Sequence, residues 1–527
     1  MSEPFNRTPI KRIAAIDLGT NSFHAVIVDI YPDGSFYTID KLKEMVLLAE
    51  KGVKGGLSDA AMERGLEALK KIKTLCDHQG AERILAFATS AIREAENGGE
   101  FIQMVIDKVG IKIRAIPGKL EAELIGLAVQ HGIQMPDKPS LIMDIGGGSV
   151  EYILADKEAF YHLSSKKIGV ARMTAQFIDN DPITNKEIST LTNYFRDQLP
   201  DVAQAFAQYR GSILIGSSGT MENIGLMIAY KNDKSPSLSV NELEFTSDEF
   251  FKFYENVIGM NAKERSTLKG LDEKRIHLLP AGLVLVHYIL KTFGIKEIKI
   301  SAQALREGII LRYIQKDLKE VSQAPIVEDP RKRSVLELAH KCDWHEEHSR
   351  HVATLALQIF DKLKNDLDLT DTDRELLEYA AWLHDIGYHI SHRKHHKHAL
   401  YIIRNSDLLG FKEDEIEIIA NVARYHRRST PKSRHPYYKS LAPENKAVVK
   451  KLSGILRVAD GLDRSHYQNI WGMKMQKNDS KITLHIEPEA DPQLEIWGAM
   501  RKKDLFEEVT GKTLKIEQAQ RANPVLR

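Results

Sequence analysis

The 527 residues include only two cysteines, Cys76 and Cys342. There is no disulfide framework, and a reducing, cytoplasmic compartment is expected. No uncharged apolar run reaches about 18 residues, which argues against a helical membrane span. The segment from Met1 to Thr8 has no apolar stretch of signal-peptide type, so export is not expected. An excess of one charge is also missing. Lys+Arg total 74 against 73 Asp+Glu, a net charge of +1, so bulk charge gives no reason to expect a nucleic-acid partner. What is present is an ordinary globular composition, 43% hydrophobic and 28% charged, in a chain long enough for about three or four domains.

The most informative stretch runs from Leu141 to Leu154. An apolar run ends at Asp144, Gly146, Gly147 and Gly148 turn the chain, and Ser149, Glu151 and a second apolar run follow. This pattern predicts strand, tight turn, strand. Glycines without a Cβ let a phosphate approach the main chain, and the turn's N–H groups form an anion-binding nest. Carboxylates beside such a cradle repel phosphate unless a metal or a proton-transfer role accounts for them. The pattern occurs earlier at a constant offset and without a gap. Asp17 matches Asp144, Gly19 matches Gly146, Ser22 matches Ser149 and Asp29 matches Asp156, with Thr20 and Asn21 inside the turn. An internal repeat of this kind predicts two related lobes with phosphates held between them.

Along the chain, Ser58 is placed to cap a helix over 59–79. A strand over 84–89, a helix over 99–109 and a strand over 112–116 follow, an α/β alternation. Pro117-Gly118 leads into a helix carrying Glu121 and Glu123. A strand from Ile213 runs into the small-residue loop Gly216, Ser217, Ser218, Gly219 and Thr220, with a helix expected from Met221. Small residues at a helix start suit a phosphate. A helix is expected over 275–292, a strand over 298–301 and a helix over 305–318. Residues 321–333, with Pro325 and Pro330, are expected to be a linker. The stretch 334–463 is predicted mostly helical and is crowded with histidine. Strands are predicted over 481–486 and 493–497, with a helix from about Lys502. The expected domains are 1–130, 131–322, 323–468 and 469–527.

With these motifs in order, the chain resembles the exopolyphosphatase/guanosine pentaphosphate phosphohydrolase (Ppx/GppA) family. The resemblance rests on Asp17–Ser22, Ala88–Arg93, Gly118–Ala122, Asp144–Glu151, Gly216–Thr220, Pro280–Gly282 and Leu305–Gly308. It implies an α/β fold of two ribonuclease-H-like lobes of the actin-like ATPase and sugar-kinase superfamily. An all-α HD-like domain and a small α+β C-terminal domain would follow. The implied activity is hydrolysis of the terminal phosphate of inorganic polyphosphate, with guanosine pentaphosphate as a second substrate. Glu121 would be the general base, Glu151 would position the water or hold metal, and Arg93 would clamp phosphate oxygens. Asp144, assisted by Asp17, would bind Mg²⁺. A homodimer is implied by family analogy. Leu120 stands where relatives often carry the first of paired glutamates.

The helical region also resembles HD phosphohydrolases, through His348 and His351, the His384-Asp385 doublet, and Asp460 and Asp463. His348, His384, Asp385 and Asp460 are candidates for an additional divalent metal, with His395, His396, His398 and His426 as candidates for a second ion. Arg393, Lys397, Arg427 and Arg428 are candidates for a polyanion path, since relatives thread polyphosphate past this region. Two other readings use the same motifs. One is an actin-like sugar or acetate kinase, disfavoured by the absence of an evident sugar-binding aspartate. The other is a nucleotide- or alarmone-binding sensor whose helical region signals.

Overall fold

The structure is a computed structural model and describes residues 8–48, 56–209, 211–232, 240–318, 321 and 329–519. The chain divides into two compact units, Met1–Pro330 and Arg331–Arg527.

The first unit holds two sheets. One contains β1 (Lys11–Leu18), β2 (Ser22–Ile30), β3 (Phe36–Met45), β4 (Arg83–Ala88) and β5 (Ile113–Ala115), in the order β3-β2-β1-β4-β5. The other contains β6 (Ser140–Ile145), β7 (Val150–Ala155), β8 (Phe160–Lys166), β9 (Leu214–Ser217), β10 (Glu244–Thr246) and β11 (Glu297–Ile300). Its order, β8-β7-β6-β9-β11-β10, repeats the first and adds one edge strand. In both, the opening hairpin is antiparallel and the next neighbour is parallel. The repeat extends to register. Asp17 pairs with His24 across β1 and β2, and Asp144 pairs with Glu151 across β6 and β7.

The central strands are buried on both faces, which is why they read as continuous apolar runs. On one face of the first sheet, Ile16, Leu18 and Phe23 pack with Leu66, Leu69 and Phe101. The first two of that trio lie on the helix Asp59–His78, whose start Ser58 caps by accepting from the Ala61 N–H. Between the sheets, Ile13, Val28, Ile142 and Ile153 share a core with the helices Gly118–Gly132 and Leu305–Asp317. These helices cross so closely that a Cβ on Gly308 would lie 2.0 Å from the Leu124 carbonyl oxygen. That crossing anchors the helix that carries Glu121.

The second unit opens with the helices Pro330–Lys341, Glu346–Leu363, Asp371–Leu383, His395–Arg404, Glu413–Tyr425 and Pro443–Gly461. They pack in one core with a sheet of β12 (Ile470–Lys477), β13 (Lys481–Pro488) and β14 (Thr513–Gln518). β13 lies in the middle, antiparallel to β12 and parallel to β14. Cys76 and Cys342 are both free and buried. Among the described residues, no helix is long and apolar enough to cross a membrane.

Several sequence expectations need correction. Residues 493–497 are not a strand but part of the helix Gln493–Met500. The apparent alternation misled because Leu494 and Trp497 are 48% and 49% exposed, while Glu495 is buried against Asn469. The helix expected from Lys502 is short, Asp504–Thr510, and Gly511 at φ +65° ends it before β14. Helix formation after the small-residue loop begins at Ser218 rather than Met221. Residues 275–278 precede the helix Leu279–Phe293, whose second position is Pro280, where no backbone N–H is needed. Of the expected linker, 322–328 lie outside the described residues, and 330–333 form the first turn of a helix.

Candidate active site

The turn after β1 and the turn after β6 face one cleft of about 480 Å³ in the first unit. They touch across it. A Cβ on Gly147 would lie 2.9 Å from the Asn21 side-chain nitrogen. One on Gly148 would lie 2.3 Å from Ser90 Oγ and 2.9 Å from Thr20 Oγ1. Glycine is required here by close approach, not by an unusual φ. The two turns therefore present their main chains to the same space.

Four carboxyl groups stand around that space. Asp17 and Asp144 come from equivalent ladder positions, Glu151 faces Asp144 on β7, and Glu121 lies in the first turn of the helix Gly118–Gly132. Glu151 is fully buried, and Ser165 Oγ donates to its Oε1 at 2.7 Å. Gly118 leaves room for Ser165, since a Cβ there would come within 2.5 Å of the serine's own. Glu121 Oε2 accepts from Arg93 Nη1 at 2.8 Å, and the same nitrogen reaches the Ile116 carbonyl oxygen at 2.8 Å. Asp17 Oδ1 is buried with no hydrogen bond among the described residues.

Burial and mutual repulsion raise all four. Burial, followed by the Glu121 charge, pushes Asp17 up to about 7. Burial pushes Asp144 up to about 6. Glu151 is held well above its ordinary range by burial and by the charges of Glu121 and Asp144. Glu121 is pushed from 4.5 to about 7, burial outweighing the Arg93 ion pair. For a carboxylate, that disfavours the charged form by roughly 3 kcal/mol. An arrangement this costly is the kind that marks a site for cations or proton transfer.

Not every expected residue reaches the cleft. Gly19, Thr20, Asn21, Ser22, Gly146, Gly147, Gly148, Ser149, Ser218 and Gly219 do. Gly216 is packed under Met221, and Ser217, with no exposure, donates to the Gln303 carbonyl oxygen at 2.9 Å. Thr220 bonds the Ile145 carbonyl oxygen and accepts from Arg275. These three shape the loop from behind. Arg93 is occupied by Glu121 rather than open to the cleft.

Sequence reading missed Arg275, Arg306, Glu222 and His24, all of which line the cleft. Arg275 lies over Gly219, where a Cβ would meet its Nη2 at 2.2 Å. Arg306 belongs to the Leu305–Gly308 motif, but its reach to His24 Nδ1, 2.8 Å across the cleft, had no local signal. His24 was findable, since it occupies the repeat position of Glu151. Burial and the charges of Arg306 and Lys43 push it down to about 3, so it stays neutral.

In the second unit, His348, His384, Asp385 and Asp460 are buried together. Arg427 and Arg428 line a pocket with Asp385 and Asp460. Lys397 borders a different groove with Arg424 and Arg434, and Arg393 is exposed.

Two glycine turns that meet around a buried carboxylate cluster, carried on two α/β sheets of matching order, make up the site. The match to the Ppx/GppA phosphatase family covers residues 26–317, and domain III of Ppx/GppA phosphatases matches 331–505. The chain belongs to the Ppx/GppA phosphatase family. A guanosine-5'-triphosphate,3'-diphosphate pyrophosphatase of Photobacterium profundum is 27% identical over 481 residues, covering 91% of this chain and 93% of its own. Among solved structures, an exopolyphosphatase from Cytophaga hutchinsonii is 31% identical with a TM-score of 0.55, covering 59% of this chain and 100% of its own. The Aquifex aeolicus Ppx/GppA family member is 26% identical with a TM-score of 0.50, covering 59% and 99%.

Proposed function

We propose that this phosphatase removes the terminal phosphate of inorganic polyphosphate, releasing orthophosphate, and also converts guanosine pentaphosphate to the tetraphosphate. The observation that supports this best is the shared cleft of the two turns, with Glu121 buried beside it and raised to about 7. Main-chain N–H groups of both turns bind the terminal phosphate oxygens. Glu121 accepts a proton from the attacking water, and its raised pKa suits a base working near neutrality. The water oxygen bonds to phosphorus as the anhydride P–O bond breaks, so no covalent enzyme intermediate forms. Arg93 holds the Glu121 carboxylate in place, and Arg275 and Arg306 balance phosphate charge.

The donor set suits Mg²⁺. Asp17, Asp144 and Glu151 offer hard carboxylate oxygens, and Asp17 Oδ1 is buried without a hydrogen bond. When bound there, the ion would neutralise phosphate charge.

The two sheets of the first unit are read as ribonuclease-H-like lobes of actin-like type. Residues 323–468 are read as an HD-like domain and 469–527 as a small α+β domain. A cytoplasmic homodimer completes the reading. The test is orthophosphate release from long polyphosphate and from guanosine pentaphosphate, in parallel, with and without Mg²⁺. Turnover of at least one substrate that disappears without Mg²⁺ and in Glu121→Gln is expected. A wild-type chain that binds both and hydrolyses neither would instead favour a sensor.

A further inference from the structure

The second glycine turn is held from behind by the start of the helix Val170–Phe177. The Val170 N–H donates to the Gly146 carbonyl oxygen at 3.0 Å, and the Ala171 and Arg172 N–H groups donate to that of Gly147 at 2.9 and 3.2 Å. The Gly169 N–H and Arg172 Nε both donate to the Gly148 carbonyl oxygen, at 3.3 and 3.0 Å. The fit leaves no room for a side chain, since a Cβ on Gly169 would lie 2.5 Å from the Gly147 carbonyl oxygen. In a planar trans peptide the N–H points opposite to the C=O. Tying these three carbonyls to the helix start turns the N–H groups of Gly147, Gly148 and Ser149 the other way, as an anion-binding nest requires.

Arg172 supplies the side chain in this set, and a residue on the first sheet's side of the cleft holds it. Its Nη2 donates to Glu94 Oε2 at 3.0 Å, and the two side chains are 14% and 12% exposed. Largely out of water, such a pair is held more firmly than a surface one. Lys167 reaches the same oxygen at 3.0 Å, but it is 69% exposed and adds little.

Glu94 ends the short helix Ser90–Glu94, in which Ala91 and Ile92 are buried. Its neighbour Arg93 donates to Glu121 Oε2 at 2.8 Å. Ser90, at the other end, has its Oγ 3.1 Å from Thr20 Oγ1 of the first turn. Neighbouring residues on a helix project about 100° apart, so Arg93 and Glu94 face different partners. One five-residue helix thus touches the first turn, Glu121 and, through Arg172, the second turn.

We propose that Arg172, anchored by Glu94, is a positioning residue for the hydrolysis. It fixes the Gly148 peptide, and the helix Ser90–Glu94 thereby keeps the second turn in register with Glu121. This rests on the reading of the turns as a phosphate cradle and of Glu121 as the base. The Arg172 guanidinium is engaged by Gly148 and Glu94 and does not bind phosphate itself. Its loss therefore slows the reaction more than it weakens binding.

The test uses the full chain with Mg²⁺ and a short polyphosphate at about pH 8.5, where Glu121 is ionised in every variant. Arg172→Ala should lower kcat by about 10–100-fold and change KM by less than about threefold. Arg172→Lys keeps the charge, but its single nitrogen cannot bridge Gly148 and Glu94, so it should recover little of the kcat. Glu94→Gln should lower kcat by about fivefold or more, and it keeps the test open if Arg172→Ala does not fold. Adding it to Arg172→Ala should cost less than about twofold further, because it acts through Arg172. Orthovanadate, which adopts the trigonal-bipyramidal shape of a transferring phosphoryl group, gives a readout without turnover. In calorimetry, Arg172→Ala should weaken orthovanadate by about tenfold or more and orthophosphate by less than about threefold. A raised KM at unchanged kcat, full recovery in Arg172→Lys, multiplied losses in the double variant, or equal weakening of the two anions would each overturn the proposal. A wild type that hydrolyses no polyphosphate and no guanosine pentaphosphate would instead reject the reading beneath it, and the comparison of the two anions would still decide the role of Arg172.

Discussion

Arg93 and Glu121 form a 2.8 Å ion pair at the edge of the cleft, yet the carboxyl remains raised to about 7 because burial outweighs its partner. Removing the guanidinium therefore moves the acid further up. Arg93→Ala is expected to shift the acidic limb of the pH–rate profile to higher pH and to lower the rate at neutrality. An Arg93→Lys variant should restore part of the limb but not the fixed geometry. A pH profile of kcat/KM checks this, because a merely structural role would lower the rate without moving the limb.

Glu121→Gln should reduce turnover by about 10²–10⁴-fold, with substrate binding retained. The variant also tests linkage. A carboxyl with a raised pKa contributes its stability below the unfolded value of 4.5, where it is protonated in both states. That contribution is lost as pH rises through about 7, where the folded state must hold a buried charge. Glutamine carries no such charge. The melting temperature of wild type relative to Glu121→Gln should therefore fall between pH 5 and pH 8, as read by calorimetry at both values.

Gly148→Ala puts a Cβ 2.3 Å from Ser90 Oγ and 2.9 Å from Thr20 Oγ1, so the Ser90 and Thr20 side chains at the cleft must move. A displacement of about 1 Å at reacting groups can cost about 100-fold. Loss of kcat on that scale, with most of the thermal stability kept, is the expected outcome. Gly110→Ala, in a helix C-cap at φ +75° far from the cleft, is the control; it should lose stability without a matching loss of kcat.

Arg275 packs on Gly219 and bonds Thr220 at the cleft wall. Arg275→Ala should raise KM by about tenfold or more with a smaller effect on kcat, if its charge acts on bound and reacting phosphate alike. Steady-state kinetics on a short polyphosphate separate the two constants.

Much of the first centre was legible because its chemistry is local. A glycine turn between an aspartate-ended strand and a second apolar run is a contiguous signal, and its repetition at a fixed offset marked both lobes. Glu121 was reached only through the family motif; a glutamate in a helix's first turn otherwise reads as a solvated charge. Arg275 and Arg306 lie far along the chain from the turns they face, and no spacing rule links them to those turns. The segment 493–497 failed for a related reason. Alternation predicts a strand only if its apolar residues are buried, and here Leu494 and Trp497 face outward.

By itself, the sequence determined the strands, the turns that need glycine, and the helices with their caps, since these depend on neighbours a few residues apart. Tertiary structure alone decided which carboxyl groups share a low-dielectric space and which imidazole nitrogens lack a hydrogen bond. His348 and Asp460, or His24 and Arg306, stand more than a hundred residues apart in the chain, and only packing brings each pair within reach.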